Sequence, residues 1–195
     1  MLEYLVVCPL VFLAGFVDAV AGGGGLISLP AYMMAGLNPI DAIGTNKFSA
    51  SCGTLAATMS YSRRGYIRWR ELVPAIIVAL IGSWVGARLA LLVDNDVFKI
   101  VMLIILPITA IFVLNKKVLS KYRCPYSGGK VKMIVAILAL VMGVYDGFYG
   151  PGTGVFLMLM LVGIAHVSLE EAVGSTKVIR LSPTLASLSV YIVHG

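Results

Sequence analysis

The chain has 195 residues, 59% of them hydrophobic and 12% charged, with a mean hydropathy of +0.97. Soluble domains carry roughly 25% charged residues, and here apolar stretches near the length needed to cross ~30 Å of hydrocarbon recur along the chain; composition therefore excludes a soluble α/β domain and leaves an all-α, polytopic integral membrane protein whose solvent is the lipid bilayer. The formal charge of +6 does not indicate nucleic-acid binding, because ten of the fifteen basic residues fall in two short loops, Arg63, Arg64, Arg68 and Arg70 in one and Lys116, Lys117, Lys121, Arg123, Lys130 and Lys132 in the other. This is the positive-inside pattern, and it assigns loops 62–71 and 115–132 to the cytoplasmic side of an inner (plasma) membrane.

In chain order, a first helix is expected from about Leu5 to Val20. It has no basic leader and no small-residue cleavage site, so it reads as part of the mature protein. It stops at Gly22-Gly23-Gly24-Gly25, since consecutive glycines are poor helix formers. The next apolar run, Leu26 to Leu37, is too short to span at about 1.5 Å per residue and reads as a half-helix or re-entrant segment. Asn38-Pro39 ends it, Pro39 suiting the first turn of the following helix. That helix, about Asp41 to Tyr61, carries Thr45-Asn46-Lys47 and the small residues Ser49, Ala50, Ser51, Gly53, Ala56 and Ala57, which mark an interior helix. Leu72 to Val93 is a full span in which Gly82 and Gly86 predict a close helix contact. Asp94 and Asp96 form an acidic turn, and Val97 to Leu114 returns with Lys99 placed to snorkel. Residues 116–130, with Pro125, Gly128 and Gly129, link a first transmembrane repeat (1–115) to a second (131–195). Cys8, Cys52 and Cys124 have neither disulfide nor metal-site spacing and read as packing residues.

The repeat is visible by eye. Aligning Gly15 with Gly143 matches Asp18 with Asp146, Gly22 with Gly150 and Gly24 with Gly152. After two inserted residues, Ala42, Gly44, Lys47, Thr54, Leu55, Ala56, Tyr61 and Gly65 match Ala172, Gly174, Lys177, Thr184, Leu185, Ala186, Tyr191 and Gly195. The first copy continues for two more helices, so internal symmetry predicts that the second is incomplete by about 50 residues. Two crossings per glycine-rich unit would make the halves inverted with the amino terminus outside; one crossing would make them parallel.

The residues that carry chemistry recur with the repeat. Glycine-rich backbone beside a carboxylate does not suit lipid-facing helix, because unpaired amides in hydrocarbon cost several kcal/mol each. We therefore expect two broken helices facing each other across a polar cavity, with successive amides and half-helix N-termini attracting an anion. The substrate-binding set expected on this basis is Gly22, Gly23, Gly24, Gly25, Thr45, Asn46 and Lys47 in one copy and Gly150, Gly152, Thr153, Gly154, Ser175, Thr176 and Lys177 in the other. Lys47 and Lys177 supply charge-assisted hydrogen bonds, and Arg180 lies one turn beyond Lys177. The plain alternative for a single lysine is snorkelling to the headgroups; recurrence in both copies favours the site. Asp18 and Asp146 are the candidate proton-coupling groups, against the alternative that each caps the next segment. Tyr145, Phe148 and Tyr149 read as aromatic packing and Arg88 as interfacial. His166 and His194 have no metal-ligand spacing, no catalytic constellation is present, and no cofactor or metal is implied.

Gly15 to Gly25, Gly44-Thr45-Asn46-Lys47 and Tyr145 to Gly154 together resemble the TauE/SafE sulfite exporter family, also called the 4-toluene sulfonate uptake permease family, over essentially the whole chain. The resemblance implies a bacterial inner-membrane permease of two repeats that moves sulfur-containing anions such as sulfite or organosulfonates. The expectation is thus a secondary transporter rather than an enzyme, with an uncoupled anion channel or a non-transporting membrane protein as alternatives. Oligomeric state is not legible.

Overall fold

A computed structural model describes residues 2–65, 67, 69–114 and 128–194. Among these residues there are eight helices and no strand: α1 (Leu2–Ala21), α2 (Gly25–Met34), α3 (Pro39–Arg63), α4 (Trp69–Leu91), α5 (Asn95–Leu114), α6 (Gly128–Phe148), α7 (Thr153–Gly163) and α8 (Leu169–His194). Helices α4 and α6 contain stretches, Leu72–Leu91 and Gly129–Phe148, long and apolar enough to cross a membrane, and Leu5–Ala19, Gly25–Met34 and Thr153–Gly163 are shorter apolar helical stretches.

Several expected boundaries shift. The short run ends at Met34 rather than Leu37. Lys130 and Lys132 lie in the first turns of α6, and Arg70 lies in α4, rather than in loops. A helix that satisfies its own backbone can run on past the hydrocarbon edge. Cys8 and Cys52 are exposed on their helices instead of packed. Arg68, Lys116, Lys117, Lys121, Arg123, Cys124, Pro125 and Gly195 fall outside the described residues.

Local chemistry explains the helix ends that matter here. The Asn38 side-chain oxygen accepts from the Asp41 N–H at 2.9 Å, with Pro39 in the first turn, and this starts α3. Within α8, Pro183 has no N–H for the Ile179 carbonyl. The Ser182 hydroxyl donates to that carbonyl instead, at 3.3 Å.

Polarity is arranged inside out relative to a water-soluble protein. Phe12, Phe16, Phe48, Leu103 and Ile111 are exposed, while Lys47, Asp146, Lys177 and Arg180 are buried. Two apolar cores flank a polar middle. One contains Leu72, Ala75 and Ala79 of α4, Val135, Ala139 and Met142 of α6, and Ala172, Val178 and Ile179 of α8. The other contains Ala87 and Ala90 of α4, Ala42 and Ile43 of α3, and Val190 and Tyr191 of α8. Between them α4 contributes Ser83, whose hydroxyl donates to the Pro183 carbonyl at 2.6 Å. In the same layer α8 buries Arg180, Thr184 and Ser187.

The contact expected at Gly82 and Gly86 is made by α6. A Cβ on Gly82 would meet the Leu140 carbonyl oxygen at 2.7 Å, and one on Gly86 would strike the Val144 carbonyl. The approach is reciprocal: Gly143 of α6 faces Ala79, and Gly147 faces the Ser83 carbonyl. Gly147→Ala should therefore destabilise the protein by about 1–3 kcal/mol, because neither backbone can give way. Gly53→Ala, with nothing within 4 Å of its added methyl, should be neutral or slightly stabilising. Thermal unfolding in detergent compares the two.

Candidate functional site

The two glycine breaks cross. Helix α1 ends at Ala21, Gly22 adopts φ 76°, and α2 turns back along α1 so closely that a Cβ on Gly24 would strike the Ala14 carbonyl. The second break, with Gly150 at φ 97° and Gly152 at φ 79°, separates α6 from α7. A Cβ on Gly22 would lie 2.8 Å from Gly154 Cα, and one on Gly154 would lie 2.7 Å from Gly22 Cα. A Cβ on Gly25 would similarly lie 3.1 Å from Pro151 Cα. The N-termini of α2 and α7 thus meet, and neither glycine N-cap supplies a side-chain cap of its own. Their partial positive charge is therefore directed at the crossing, where the Asp18 carboxylate meets part of it at the α2 end.

Around the crossing the charged residues of α3 and α8 grip the opposite broken helices. The Lys47 ammonium donates to the Asp146 carboxylate at 2.7 Å and also to the Asp146 carbonyl, with the two side chains 2% and 1% exposed. The Lys177 ammonium donates to the carbonyls of Asp18 and Ala19, both at 2.9 Å. Each lysine therefore caps the C-terminal carbonyls of a broken helix, the end where a cation is favoured. Arg180 Nη1 donates to both Asp18 oxygens, at 2.9 and 3.1 Å. Asp18 Oδ1 also accepts from the Gly24 N–H at 3.1 Å, which holds the first break to α8. Lys47, Lys177 and Arg180 thus face Asp18 and Asp146, three cations against two carboxylates, leaving one formal positive charge unmatched among the described residues.

The remaining expected site residues divide. Asn46 is buried, accepts from the Ser28 hydroxyl at 2.6 Å, and has its amide nitrogen 3.2 Å from where a Gly25 Cβ would sit. Gly150 lies against Lys47 Nζ, and Gly23 against Val155. The Thr153 hydroxyl donates to the Gly150 carbonyl at 2.6 Å, which closes the second break. Thr176 is buried and its hydroxyl has no partner among the described residues, whereas Ser175 is half-buried. Thr45 is exposed, on the other side of α3 from Lys47, because residues two apart lie roughly opposite each other on a helix.

A cavity of about 30 Å³ opens beside the first break, lined in part by Asp18, Gly24, Gly25, Ser28, Asn46 and Ser49. Ser28 and Ser49 were not among the expected site residues. Their signal in the sequence was position, Ser28 in the first turn after the glycines and Ser49 one residue before Ala50 on the helix of Lys47. The Tyr145 hydroxyl donates to the Pro151 carbonyl at 2.8 Å, and the Tyr145 ring packs edge-on against Tyr149 and Phe156. Phe148 packs on Phe98. Arg88 lies over the Trp84 ring. His166 sits in the connection before α8 at φ 55°, and the side chain of His194 lies outside the description. No group of side chains able to hold a metal is found among the described residues.

Comparison with known proteins follows the same lines. The family model for sulfite exporter TauE/SafE matches residues 7–195. A probable membrane transporter protein, ORF9, of a Sinorhizobium species is 36% identical over 186 residues, covering 94% of this chain and 70% of the relative. A probable membrane transporter protein of Haemophilus influenzae is 34% identical over 189 residues, covering 94% and 72%. The probable membrane transporter protein YfcA of Escherichia coli K12 is 33% identical over 184 residues, covering 94% and 68%. No solved structure matches the chain at a significant level. Relatives of this kind point away from an enzyme. On the match across its length, the chain belongs to the sulfite exporter TauE/SafE family of membrane transporters.

Proposed function

We propose that the chain is a secondary transporter for small sulfur-containing anions such as sulfite or organosulfonates, bound where the two glycine breaks cross. The observation that carries this reading is the unmatched positive charge buried at the crossing. A buried charge met only by backbone carbonyls is less well matched than one paired with a carboxylate, and an anion near the N-termini of α2 and α7 would neutralise it where helix dipoles favour it. Lys47 and Lys177 act in this scheme by holding the broken helices in register around the anion, Asn46 and Thr176 offer further polar groups, and Asp18 and Asp146 are the groups through which a proton gradient would act.

The two halves form inverted repeats with re-entrant broken helices, and one half rocks against the other during transport. Support comes from the start of α3 lying against the end of α8, where a Gly44 Cβ would sit 3.7 Å from Tyr191 Cβ, and from the reciprocal grip of α3 on α6 and α8 on α1. The basic loops face the cytoplasm on charge grounds.

Sulfite and methanesulfonate flux into proteoliposomes tests the reading. Lys47→Ala combined with Lys177→Ala should lower the flux by at least about tenfold, equivalent to ~1.4 kcal/mol, in protein shown by gel filtration to be intact. Unchanged flux would remove these residues from the site. Absence of anion flux in the unaltered protein would remove the function.

A further inference from the structure

We infer that Arg180 is the group that anchors the transported anion, and that Asp18, by matching one of the three cations, sets the site to accept a singly charged oxyanion in preference to a doubly charged one. The inference rests on the transport reading above and narrows its substrate class.

Arg180 differs from the two lysines in what it leaves unused. It is 3% exposed, and its Nε–H has no partner among the described residues although Nη1 is engaged with Asp18. A buried guanidinium with an unsatisfied N–H can donate a charge-assisted hydrogen bond to an oxyanion. The guanidinium also touches both breaks at once: a Cβ on either Gly22 or Gly154 would come within 3.2 Å of Nη1. It therefore lies at the crossing itself.

The two halves are unequal at this position. In the register that pairs Lys47 with Lys177, the place of Arg180 is taken by Ala50. In one half Lys47 alone caps the carbonyl of Asp146 and pairs with its carboxylate. In the other half the same two tasks are divided, Lys177 taking the Asp18 and Ala19 carbonyls and Arg180 the Asp18 carboxylate. That division creates the surplus charge.

Asp18 is also the less enclosed carboxylate, its side chain 13% exposed against 1% for Asp146. It lines the cavity that contains Ser28, Asn46 and Ser49. Arg180 does not line this cavity, and Asp18 stands between the two with its oxygens on Arg180 and the Gly24 N–H. An anion that reaches the guanidinium from the cavity must therefore displace the Asp18 side chain, which leaves the charge count unchanged. A monoanion such as a sulfonate then neutralises the site, whereas a dianion leaves it one charge negative.

Titration calorimetry of the purified full chain in detergent, with methanesulfonate and with sulfate, tests this. The unaltered protein should bind methanesulfonate at least tenfold more tightly than sulfate. Asp18→Asn, which raises the surplus to two, should reverse that order. Arg180→Gln should weaken methanesulfonate at least tenfold, and Arg180→Lys should keep the preference for the monoanion at reduced affinity. A preference for sulfate in the unaltered protein, an unreversed order in Asp18→Asn, or unaltered affinity in Arg180→Lys would each overturn the inference, the last deciding the matter even if Arg180→Gln does not fold. Anion flux in proteoliposomes with selection for sulfate would sink only this inference; no binding and no flux of either anion would sink the transport reading with it.

Discussion

Asp146→Asn should destabilise the protein by about 3–5 kcal/mol, because it leaves the Lys47 ammonium buried without its counter-ion. The pair is enclosed on every side, at 2% and 1% exposure, so water cannot replace the lost carboxylate. The backbone carbonyl of Asp146 still accepts from Lys47 and offsets only part of the lost charge interaction. Lys47→Met combined with Asp146→Leu should recover most of the loss, since exchanging a whole buried pair for apolar residues of similar volume is often close to neutral. Urea or thermal unfolding in detergent measures both. A shift below about 1 kcal/mol for the single variant, the range of exposed pairs, would mean that Lys47 reaches another partner or water. Recovery of stability without recovery of transport in the double variant would separate the structural part of the pair from its part in function.

Gly22→Ala should combine backbone strain with a backbone collision and should abolish anion flux. Alanine at φ 76° incurs about 1–2 kcal/mol of backbone strain, and its methyl would lie 2.8 Å from Gly154 Cα. The obstructing atom is backbone, so relief requires the two broken helices to move apart, taking Arg180 with them. Gly36→Ala isolates the two contributions. Gly36 has φ 89° and nothing within 4 Å of an added methyl, so it carries the strain without the collision. Comparison of melting temperatures should place Gly22→Ala well below Gly36→Ala; equal losses would show that the close crossing of the breaks contributes nothing to stability.

These two variants probe what was legible at different levels. The all-helical membrane class and the positions of both glycine breaks followed from composition and local backbone chemistry, and so did the close approach of the helix carrying Gly82 and Gly86. All depend on residue properties that act within a few neighbours. The partners of the charged residues did not follow. Lys47 and Lys177 read as symmetric ligands of an anion; in the structure each caps the C-terminal carbonyls of the opposite half's broken helix, and the symmetry is broken by Arg180, whose counterpart is Ala50. Thr45, adjacent in sequence to Asn46 and expected with it, is exposed because the helical period turns it away.

The sequence by itself determined which residues are chemically expensive to bury in a chain of this composition, and hence where to look for a polar cluster. It also determined that the residues come in two sets, because a repeat is a property of order along the chain. Only the tertiary structure decided which charge meets which. Contacts such as Lys47 with Asp146, 99 residues apart, and Arg180 with Asp18, 162 apart, depend on how α3 and α8 cross the broken helices. No local propensity encodes a crossing. The count of three cations around two carboxylates therefore emerged with the packing, and the chemistry proposed for the site rests on that count.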